Sequence, residues 1–524
     1  MNRQRGITRT RSRAVAAMAT ALLVALGIAV AALPAAGSSA KSASHAVSQA
    51  GRLSVSKARM VNLSSLPNGP VHQTVKVQGA LRRDGTPSWK WQGTAGPVVA
   101  KPNAPQPLAA VPTHVHRNFA AINLANASCG CQPPDVNMAV GVKNLVETTN
   151  LTLAVYSKGA PPTLLKNTAF STFLGTSDGL SDPRVIWDPT WKRFSIVLTD
   201  TSNPSLWMAF STSTDGTAGW YIYHVGLPLP AGSIGDYPMI GQTQDALTFT
   251  TNNFGTSGYI NSWAFAVAKA RVYNGLGWGA PLFGVTYNTA PTQVAGIPID
   301  GADGRAYFAA PNDANNVIYV YAMTSAGYGN ASLAFLGGAP YNWAAPPRRV
   351  NQPGTTTTLD PLDGRFVWAP MVLGGNIWFA HTVAIGSFPG VNYGFVTISS
   401  LAVTSSTAFH SGTSDDFNPS IGVFPGSPNP YVYLNWAYTD TPNNVPVSDT
   451  YSGLSPADSV QHLTGATLVT GFSTNEFRFG DYSSVSITPY AFGACPAGQT
   501  AFVAQQYFLS NGTWATRIAN VGFC

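Results

Sequence analysis

The sequence predicts an all-β protein, a β-propeller of about seven blades. A hairpin unit recurs along the chain at intervals of roughly 50 to 60 residues, a repeat length typical of propeller blades. Short segments alternate apolar and polar residues, as from Tyr431 to Trp436, and turn signals such as Asp215-Gly216 and Asn511-Gly512 separate them. Convincing amphipathic helical patterns are missing. These observations favour a closed β architecture, and the long repeat favours a propeller over its structural rival, a jelly roll or sandwich pair.

The clearest copy of the repeated unit runs from Ser181 to Thr199. Its Asp182-Pro183 start leads into a short apolar strand, the chain turns at Asp188-Pro189, and a second strand returns from Arg193. Similar strand starts lie at four other aspartates, Asp135, Asp236, Asp416 and Asp481. Two further segments repeat the turn instead, Asp300 to Arg305 and Asp360 to Arg365. Counting both kinds gives about seven units of uneven spacing, and six blades is the alternative.

The N-terminus has the organisation of a secretory signal peptide. The first 13 residues carry five arginines and no acid, an apolar run extends from Ala14 to Leu33, and small residues follow from Pro34 to Ala46. We therefore predict a signal peptide at residues 1–40 and a secreted, extracellular protein. An uncleaved anchor is the alternative, because the apolar run is nearly long enough to span a bilayer. The membrane is expected to be reached only through this segment.

The rest of the chain divides at the first cysteine. Residues 41–128 are rich in Ser, Pro, Ala and Gly, which is typical of a propeptide, an extended linker or a strap rather than of a domain. Regular β patterning begins at Cys129, so we predict that the propeller spans residues 129–524. We expect the protein to be a monomer.

Composition argues against a nucleic-acid partner. Without the five N-terminal arginines the formal charge falls from +7 to +2, and phosphate binding needs clustered Lys and Arg. Only 10% of the residues are charged, whereas a hydrophobic content of 45% supplies a sizeable core. We expect an extracellular glycan or a cell-surface ligand as the partner.

Four cysteines in an exported chain predict disulfides. We expect Cys495 to pair with Cys524, which would tie the last hairpin to the C-terminus. Cys129 and Cys131 form either a strained local bridge or a link to another strand. Zinc is the competing interpretation, but the spacing and the lack of a nearby histidine disfavour it.

The segment from Ser213 to Trp220 resembles an Asp-box, the turn that sialidase-type propellers place between outer strands of a blade, although its glycine is displaced. Longer distinctive segments start at Pro133, Ser181, Asp236, Gln352, Arg478 and Trp514. Together these segments resemble a family of secreted bacterial proteins with a sialidase-like β-propeller. The resemblance covers the chain from about residue 130 to the end and implies a fold and a compartment, without an established reaction. Family members often carry a His-Glu pair where this chain has Gly375-Asn376, so no acid role transfers to that position.

The repeated aspartates are the candidate functional site. Inner strands of a propeller surround one channel, so aspartates at their starts would form an acidic ring at its mouth. Convergent carboxylates raise one another's pKa, and glycoside cleavage needs a protonated acid beside an ionised one. The predicted catalytic residues are Asp182, Asp236, Asp481 and Glu476. The predicted substrate-binding residues are Asp135, Arg184, Tyr237, Asp416, Arg478 and Tyr482. The alternative is that each aspartate caps its own turn.

Arginines and the scarce glutamates refine this prediction. Glu476 is one of only two glutamates in the chain and lies close to Arg478 and Asp481. A true sialidase would need three arginines on the substrate carboxylate, a Tyr-Glu nucleophile pair and a general acid. Candidates for the arginine cluster are Arg184, Arg478 and one of Arg305, Arg365 or Arg517. The usual sialidase opening motif is not visible.

No cofactor is expected. The histidines show no metal spacing, and the chain has no serine nucleophile elbow, phosphate-binding glycine loop or zinc signature. A structural calcium is compatible with an exported propeller, although no contiguous calcium loop is present; the metal ligands are left unassigned. The sequence thus favours a secreted propeller that acts on carbohydrate, and if it is an enzyme, a sialidase-like glycoside hydrolase. A non-catalytic binding or adhesion propeller and a structural cell-surface protein are the alternatives.

Overall fold

The computed structural model describes residues 47–70, 81–82, 101, 114–294 and 304–524. In this part of the chain the regular structure is almost all β, and the strands form seven blades of at least four strands each. The predicted all-β class and the predicted seven blades are therefore confirmed. The predicted signal peptide, residues 1–40, lies outside the described residues. No helix in the described part has the length and apolar character needed to cross a membrane.

Three strands precede the first blade. They are β1 (Gln49–Val55), β2 (Arg59–Asn62) and β3 (His114–Asn123). Blade 1 consists of β4 (Asn137–Val140), β5 (Asn144–Thr149), β6 (Thr152–Ser157) and β7 (Leu164–Ala169). Blade 2 consists of β8 (Leu180–Asp188), β9 (Arg193–Asp200), β10 (Ser205–Ser211) and β11 (Gly219–Gly226). Blade 3 consists of β12 (Ile234–Gln242), β13 (Ala246–Gly255), β14 (Gly258–Ala268) and β15 (Trp278–Val285).

The fourth blade is interrupted by a short extra strand. Its inner strand is β16 (Ala290–Pro291), after which β17 (Gln293–Val294) runs parallel to β12. The other strands of blade 4 are β18 (Ala306–Asn312), β19 (Val317–Thr324) and β20 (Ser332–Pro340). Blade 5 consists of β21 (Met371–Leu373), β22 (Asn376–Ile385), β23 (Phe388–Thr397) and β24 (Ala402–Ala408). Since β17 also pairs with β21, it joins the sheets of blades 3 and 5.

The last two blades follow the same pattern. Blade 6 consists of β25 (Asp415–Phe424), β26 (Tyr431–Asp440), β27 (Val445–Leu454) and β28 (Ala466–Thr470). Blade 7 takes β29 (Ser484–Ile487), β30 (Thr500–Phe508) and β31 (Trp514–Gly522) from the C-terminus. Helical segments are short, α1 (Phe170–Leu174), α2 (Lys269–Val272) and single 3-10 turns at Leu63–Ser65, Ala326–Tyr328 and Thr441–Asn443.

The N-terminal segment completes the ring. Strand β3 pairs antiparallel with β31 and so forms the outer strand of blade 7. Strands β1 and β2 pair with β15 and β11, at the outer edges of blades 3 and 2. The predicted strap thus supplies strands to three blades, whereas its limit at residue 128 stays a prediction.

Hydrophobic clusters at the described blade interfaces hold the ring together. Each of the seven joins at least two consecutive blades, and one joins Met138 of blade 1 to Phe502 of blade 7, which shows that the ring is closed. Because each sheet packs against a neighbour on both faces, the first nine residues of β13 are all buried. Burial of one large aliphatic or aromatic side chain stabilises by roughly 1.5 to 3 kcal/mol.

The repeated turns do not all hold the same place in their blades. Asp188 to Arg193 joins β8 to β9, as predicted, but Asp360 to Arg365 precedes β21 instead of following an inner strand. Asp300 and Asp303 lie outside the described residues. The Asp-box-like segment lies between β10 and β11, where the Trp220 indole N–H donates to the carbonyl of Gly216 at 3.0 Å.

The four cysteines form two disulfides. The predicted Cys495–Cys524 pair is present and closes the C-terminal end of blade 7. Cys129 pairs with Cys131, which is the local alternative of the two left open by the sequence.

Candidate functional site

Three inner strands begin with the same irregularity, a bulge near the start of β8, β12 and β25. In each bulge a residue with positive φ is followed by proline: Asp182 (φ 59°), Tyr237 (φ 51°) and Asn418 (φ 55°). A left-handed backbone conformation costs an L-residue roughly 1 to 2 kcal/mol. Proline is tolerated at these positions because the bulge already interrupts the hydrogen-bond ladder between the strands. Blade 1 has a related corner at Asp135 (φ 51°), followed by valine. We call these positions the inner corners.

The five repeated aspartates occupy different positions relative to the inner corners. Asp135 and Asp182 are corner residues themselves, whereas Asp236 precedes the corner Tyr237 and Asp416 lies two residues before the corner Asn418. Asp481 precedes Tyr482 as Asp236 precedes Tyr237. The expectation that all five begin the same strand position is therefore wrong, since the shared element is the corner and not the aspartate.

Side chains from the inner corners and the adjoining strands converge in an axial cluster. Its members are Asp135, Asp182, Asp236, Asp481, Tyr237, Tyr482, Arg184 and Arg365, each at most 3% exposed. Contacts between blades that are not neighbours place the cluster on the propeller axis. The Tyr482 hydroxyl of blade 7 reaches Asp182 of blade 2, and the Tyr237 hydroxyl of blade 3 reaches the Asp481 carbonyl at 3.1 Å.

Asp182 is the hydrogen-bonding centre of the cluster. Its Oδ2 accepts from the Tyr482 hydroxyl at 2.7 Å and from the Tyr237 amide at 3.2 Å, and its Oδ1 accepts from the Ser181 hydroxyl at 2.6 Å. The ring centroids of the two tyrosines lie 4.9 Å apart. A phenol and a carboxylate in this relation can exchange a proton.

Two other carboxyl groups of the cluster have strongly raised pKa values. Burial raises the pKa of Asp135 well above its ordinary value, and the charges of Asp481 and Asp182 raise it further. Burial likewise raises the pKa of Asp236, Asp182 adds to the rise, and the Arg365 guanidinium acts against it. The Asp135 carboxyl accepts from the Asp481 amide at 2.7 Å and from the Asn150 side chain at 2.6 Å. The axial cluster therefore contains two carboxyl groups, Asp135 and Asp236, whose pKa values are raised chiefly by burial.

Two arginines supply positive charge beside the tyrosine rings. The Arg184 guanidinium lies 3.4 Å from the ring centroid of Tyr482 and donates to the Val367 carbonyl at 2.6 Å. The Arg365 guanidinium lies 4.6 Å from the ring centroid of Tyr237 and forms an ion pair with Asp363, with Nε 2.7 Å from Oδ1. Desolvated cations over tyrosine faces are strongly held, so both guanidinium groups are fixed in place.

Leu81, from the predicted strap, is docked against this cluster. Its amide donates to Asp236 Oδ2 at 3.2 Å, and its carbonyl accepts from Arg365 at 2.8 Å and from the Tyr287 hydroxyl. Leu81 itself is 5% exposed. A ligand that needs Asp236 and Arg365 must therefore displace Leu81.

Other predicted site residues lie in different surroundings. Asp416 forms a fully buried ion pair with Lys101 at 2.8 Å and accepts from the Trp436 indole at 2.9 Å. Arg478 contacts Asp481 at 3.3 Å beside the cluster, whereas Glu476 is exposed. The structure thus brings Asp135, Asp182, Asp236 and Asp481 together and leaves Asp416 and Glu476 outside, and the roles assigned to all of them stay predictions.

Sequence reasoning missed two residues that organise the site. Asn150 donates to Asp135 and accepts from the Asp182 amide at 3.1 Å, so it joins the corners of blades 1 and 2. The Asn418 side chain donates to the Gly480 carbonyl at 2.7 Å, which joins blade 6 to blade 7. The recurrence of Asp-Pro, Tyr-Pro and Asn-Pro at strand starts was the signal that would have revealed Asn418.

Among the described residues, the groups of side chains that are close enough together to bind one metal ion lie away from the propeller axis. The groups with mutually close ligand atoms are His116 with the Cys495–Cys524 pair, and Asp178 with Asp200 and His224. The two cysteines of the first group are used by the disulfide. The second group lies on blade 2. The structural calcium named above stays a prediction.

Fold and site together define a seven-bladed β-propeller with a buried axial cluster of carboxyl, tyrosine and arginine side chains. No model of a known protein family matches the chain, and no curated protein sequence matches it. Among solved structures, the chain is similar to a mutant of the Trypanosoma rangeli sialidase with trans-sialidase activity, at 9% identity and a TM-score of 0.30. That match covers 64% of this chain and 53% of the sialidase, or about half of its length.

A second similar structure is a mutant of the Synechocystis apocarotenoid oxygenase, at 11% identity and a TM-score of 0.32. This match covers 80% of this chain and 92% of the oxygenase. Likeness of this degree says nothing about the site, and the propeller assignment rests on the sheet topology of the chain itself.

Proposed function

We propose that the protein is an exported β-propeller that acts on extracellular carbohydrate at the axial cluster, as a glycoside hydrolase. One observation carries the proposal: the Tyr482 hydroxyl donates to Asp182 at 2.7 Å inside a cluster that also holds two arginines and Asp236, a carboxyl group of raised pKa. These are the groups that a glycosidase with a tyrosine nucleophile needs.

The roles follow from the contacts. Burial raises the pKa of Tyr482, so its phenol keeps its proton until Asp182 accepts it. The Tyr482 oxygen then bonds to the anomeric carbon while the glycosidic C–O bond breaks, and Asp236 gives its proton to the leaving oxygen. Water cleaves the glycosyl-tyrosine bond in the second step, Asp236 takes the proton from water, and Asp182 returns its proton to Tyr482. Arg184 and Arg365 provide positive charge for an acidic sugar.

Access to this site requires a change at Leu81. The Leu81 amide and carbonyl occupy hydrogen-bonding positions on Asp236 and Arg365 that a substrate would use. The proposal therefore includes displacement of Leu81 when a substrate binds.

A second function, a non-catalytic carbohydrate-binding or adhesion propeller, is favoured by one observation. Each of the four axial aspartates is at most 2% exposed. Hydrogen bonds between blades, such as the one from the Asp481 amide to Asp135 at 2.7 Å, account for this burial without chemistry. In that case the ligand would bind elsewhere on the propeller surface.

The test is a glycan panel screened for binding and for turnover with the full secreted chain. Variants Asp236→Asn and Tyr482→Phe remove the proposed acid and nucleophile, and Asp313→Asn, an exposed aspartate on blade 4, is the control. Loss of turnover in the first two, with melting curves that show each variant folded at the assay temperature, supports the hydrolase. Saturable binding without turnover in any variant supports the binder, and neither binding nor turnover of any glycan contradicts both.

Export is part of the proposal and is supported by the N-terminal sequence pattern and the disulfides. N-terminal sequencing of protein recovered from culture medium tests it. A new terminus between residues 36 and 46 is expected, and retention of residue 1 in a cell-bound protein would contradict export.

A further inference from the structure

Away from the axis, a cavity of about 500 Å³ lies between blades 5 and 6. Its walls come from the turn after β21, the loop after β25 and the loop after β27. This volume is within the range of roughly 300 to 1,000 Å³ typical of small-molecule sites. The cavity shares no residue with the axial cluster, so what it binds is independent of the proposed function.

The interior of the cavity is apolar and aromatic. Leu373, Trp378, Val432 and Leu454, each at most 8% exposed, form its inner wall. Phe395 also lines it, with its ring centroid 4.7 Å from that of Trp378. Such a surface favours an apolar ring over a group with hydroxyls on all sides, because each buried hydroxyl needs a partner.

Five residues of the lining have polar side chains, Asn376, Thr404, Asn429, Asp458 and Ser459. The Asn429 side chain donates to the Asp458 carbonyl at 2.9 Å, and the Asn376 side chain accepts from the Thr397 hydroxyl at 2.9 Å. Both amides are therefore engaged by the protein itself.

Asp458 gives the cavity lining a negative charge. It is the only charged residue in the described lining, which contains no lysine or arginine. Its Oδ2 accepts from the Ser455 amide at 2.8 Å and from the Ser455 hydroxyl at 2.7 Å, so the carboxylate is oriented. A cationic head group is favoured there and an anionic one is disfavoured.

We propose that this cavity binds a small aromatic amine. The ring enters against Trp378 and Phe395, and its ammonium meets Asp458. The ring matches the apolar wall, and the ammonium matches the single negative charge of the lining.

Calorimetric titration of the full chain with three probes of one size tests the proposal. Tyramine has the aromatic ring and the cation, tyrosol replaces the amine with a hydroxyl, and 4-hydroxyphenylacetate carries a negative charge. Tyramine is expected to bind about two to five times more tightly than tyrosol, as for a partly exposed ion pair. The anion is expected to bind most weakly.

Two variants with matched controls complete the experiment. Asp458→Asn should remove the preference for tyramine over tyrosol, and Asp313→Asn should not. Trp378→Leu should weaken tyramine about two- to ten-fold, the range of one aromatic ring contact, whereas Trp207→Leu, at a tryptophan outside the lining, should not. Melting curves establish that each variant is folded, and the Asp458 result decides the proposal if Trp378→Leu does not fold. Absence of saturable binding, equal affinity for the anion, or a preference unchanged in Asp458→Asn would overturn it.

Discussion

Replacement of Glu147 by glutamine should change how the stability of the protein depends on pH. Glu147 lies at the seam between blades 1 and 7, where its carboxyl accepts from the hydroxyls of Tyr156 at 2.8 Å and Thr516 at 2.5 Å. Burial raises the pKa of Glu147 to about 7, although these hydrogen bonds act in the opposite direction. The contact between blades 1 and 7 closes the ring, so the protonation of Glu147 affects the stability of the whole fold.

The sign follows from proton linkage. Between the ordinary glutamate pKa of 4.5 and about 7, the folded protein holds a proton on Glu147 that the unfolded chain has released, so stability falls as pH rises through this range. At about 1.4 kcal/mol per pKa unit, the shift corresponds to roughly 3 kcal/mol. For roughly 400 residues that unfold with about 2 cal/mol/K each, this is a change of about 4 °C in Tm.

Thermal unfolding followed by circular dichroism at pH values near 4.5, 6 and 8 provides the measurement. Glutamine keeps the size of the side chain and an acceptor oxygen but cannot ionise. The Tm of Glu147→Gln relative to the unmodified protein should therefore rise by about 4 °C from the lowest to the highest pH. Glu476→Gln, at the other glutamate, which is exposed, should show no such trend. Parallel pH curves for Glu147→Gln and the unmodified protein would refute the reasoning.

Three further predictions concern the supports of the ring and of the cluster. Removal of the Cys495–Cys524 disulfide, which spans 29 residues, by a double serine substitution should lower the free energy of unfolding by about 3 to 4 kcal/mol, as denaturant titration would measure. Lys101→Met should lower the free energy of unfolding by about 3 to 5 kcal/mol, because Asp416 is left buried without its cation. Adding Asp416→Asn should restore part of the loss, and no recovery in the double variant would count against the ion pair. Tyr482→Phe should destabilise the protein by about 1 to 3 kcal/mol because it removes a hydrogen-bond donor from the buried Asp182 side chain. Tyr237→Phe should cost less, since the Tyr237 hydroxyl donates to a backbone carbonyl. Equal effects of the two substitutions in calorimetry would contradict this.

The architecture could be predicted because short sequence patterns recur in each blade. Strand starts near Asp135, Asp182, Asp236, Asp416 and Asp481 each mark the beginning of one blade, and turn dipeptides separate the strands. What local patterns do not contain is the pairing of distant segments. That β3 completes blade 7, and that β1 and β2 join blades 3 and 2, depends on edge hydrogen bonds across hundreds of residues.

The candidate site was predicted in part, for a physical reason. Aspartate and tyrosine positions were visible, and the convergence of four aspartates follows from the radial arrangement. The open acidic ring was not found, since the corner residues fold back into cross-blade contacts and Leu81 covers Asp236. The prediction that the aspartates hold equivalent positions was wrong because a left-handed corner accepts Asp, Asn or Tyr. The backbone conformation therefore repeats from blade to blade, whereas the side chain at the corner does not.

The central claim is that the inner corners bury carboxyl groups together on the propeller axis, which raises the pKa of Asp135 and of Asp236. Infrared difference spectroscopy at neutral pH measures this directly, because protonated carboxyl groups have a carbonyl stretch distinct from that of carboxylates. Spectra of the unmodified protein minus Asp135→Asn and minus Asp236→Asn should each show a protonated-carboxyl band, and the same subtraction with the exposed Asp313→Asn should show only a carboxylate. Carboxylate bands alone in all three differences would contradict the account.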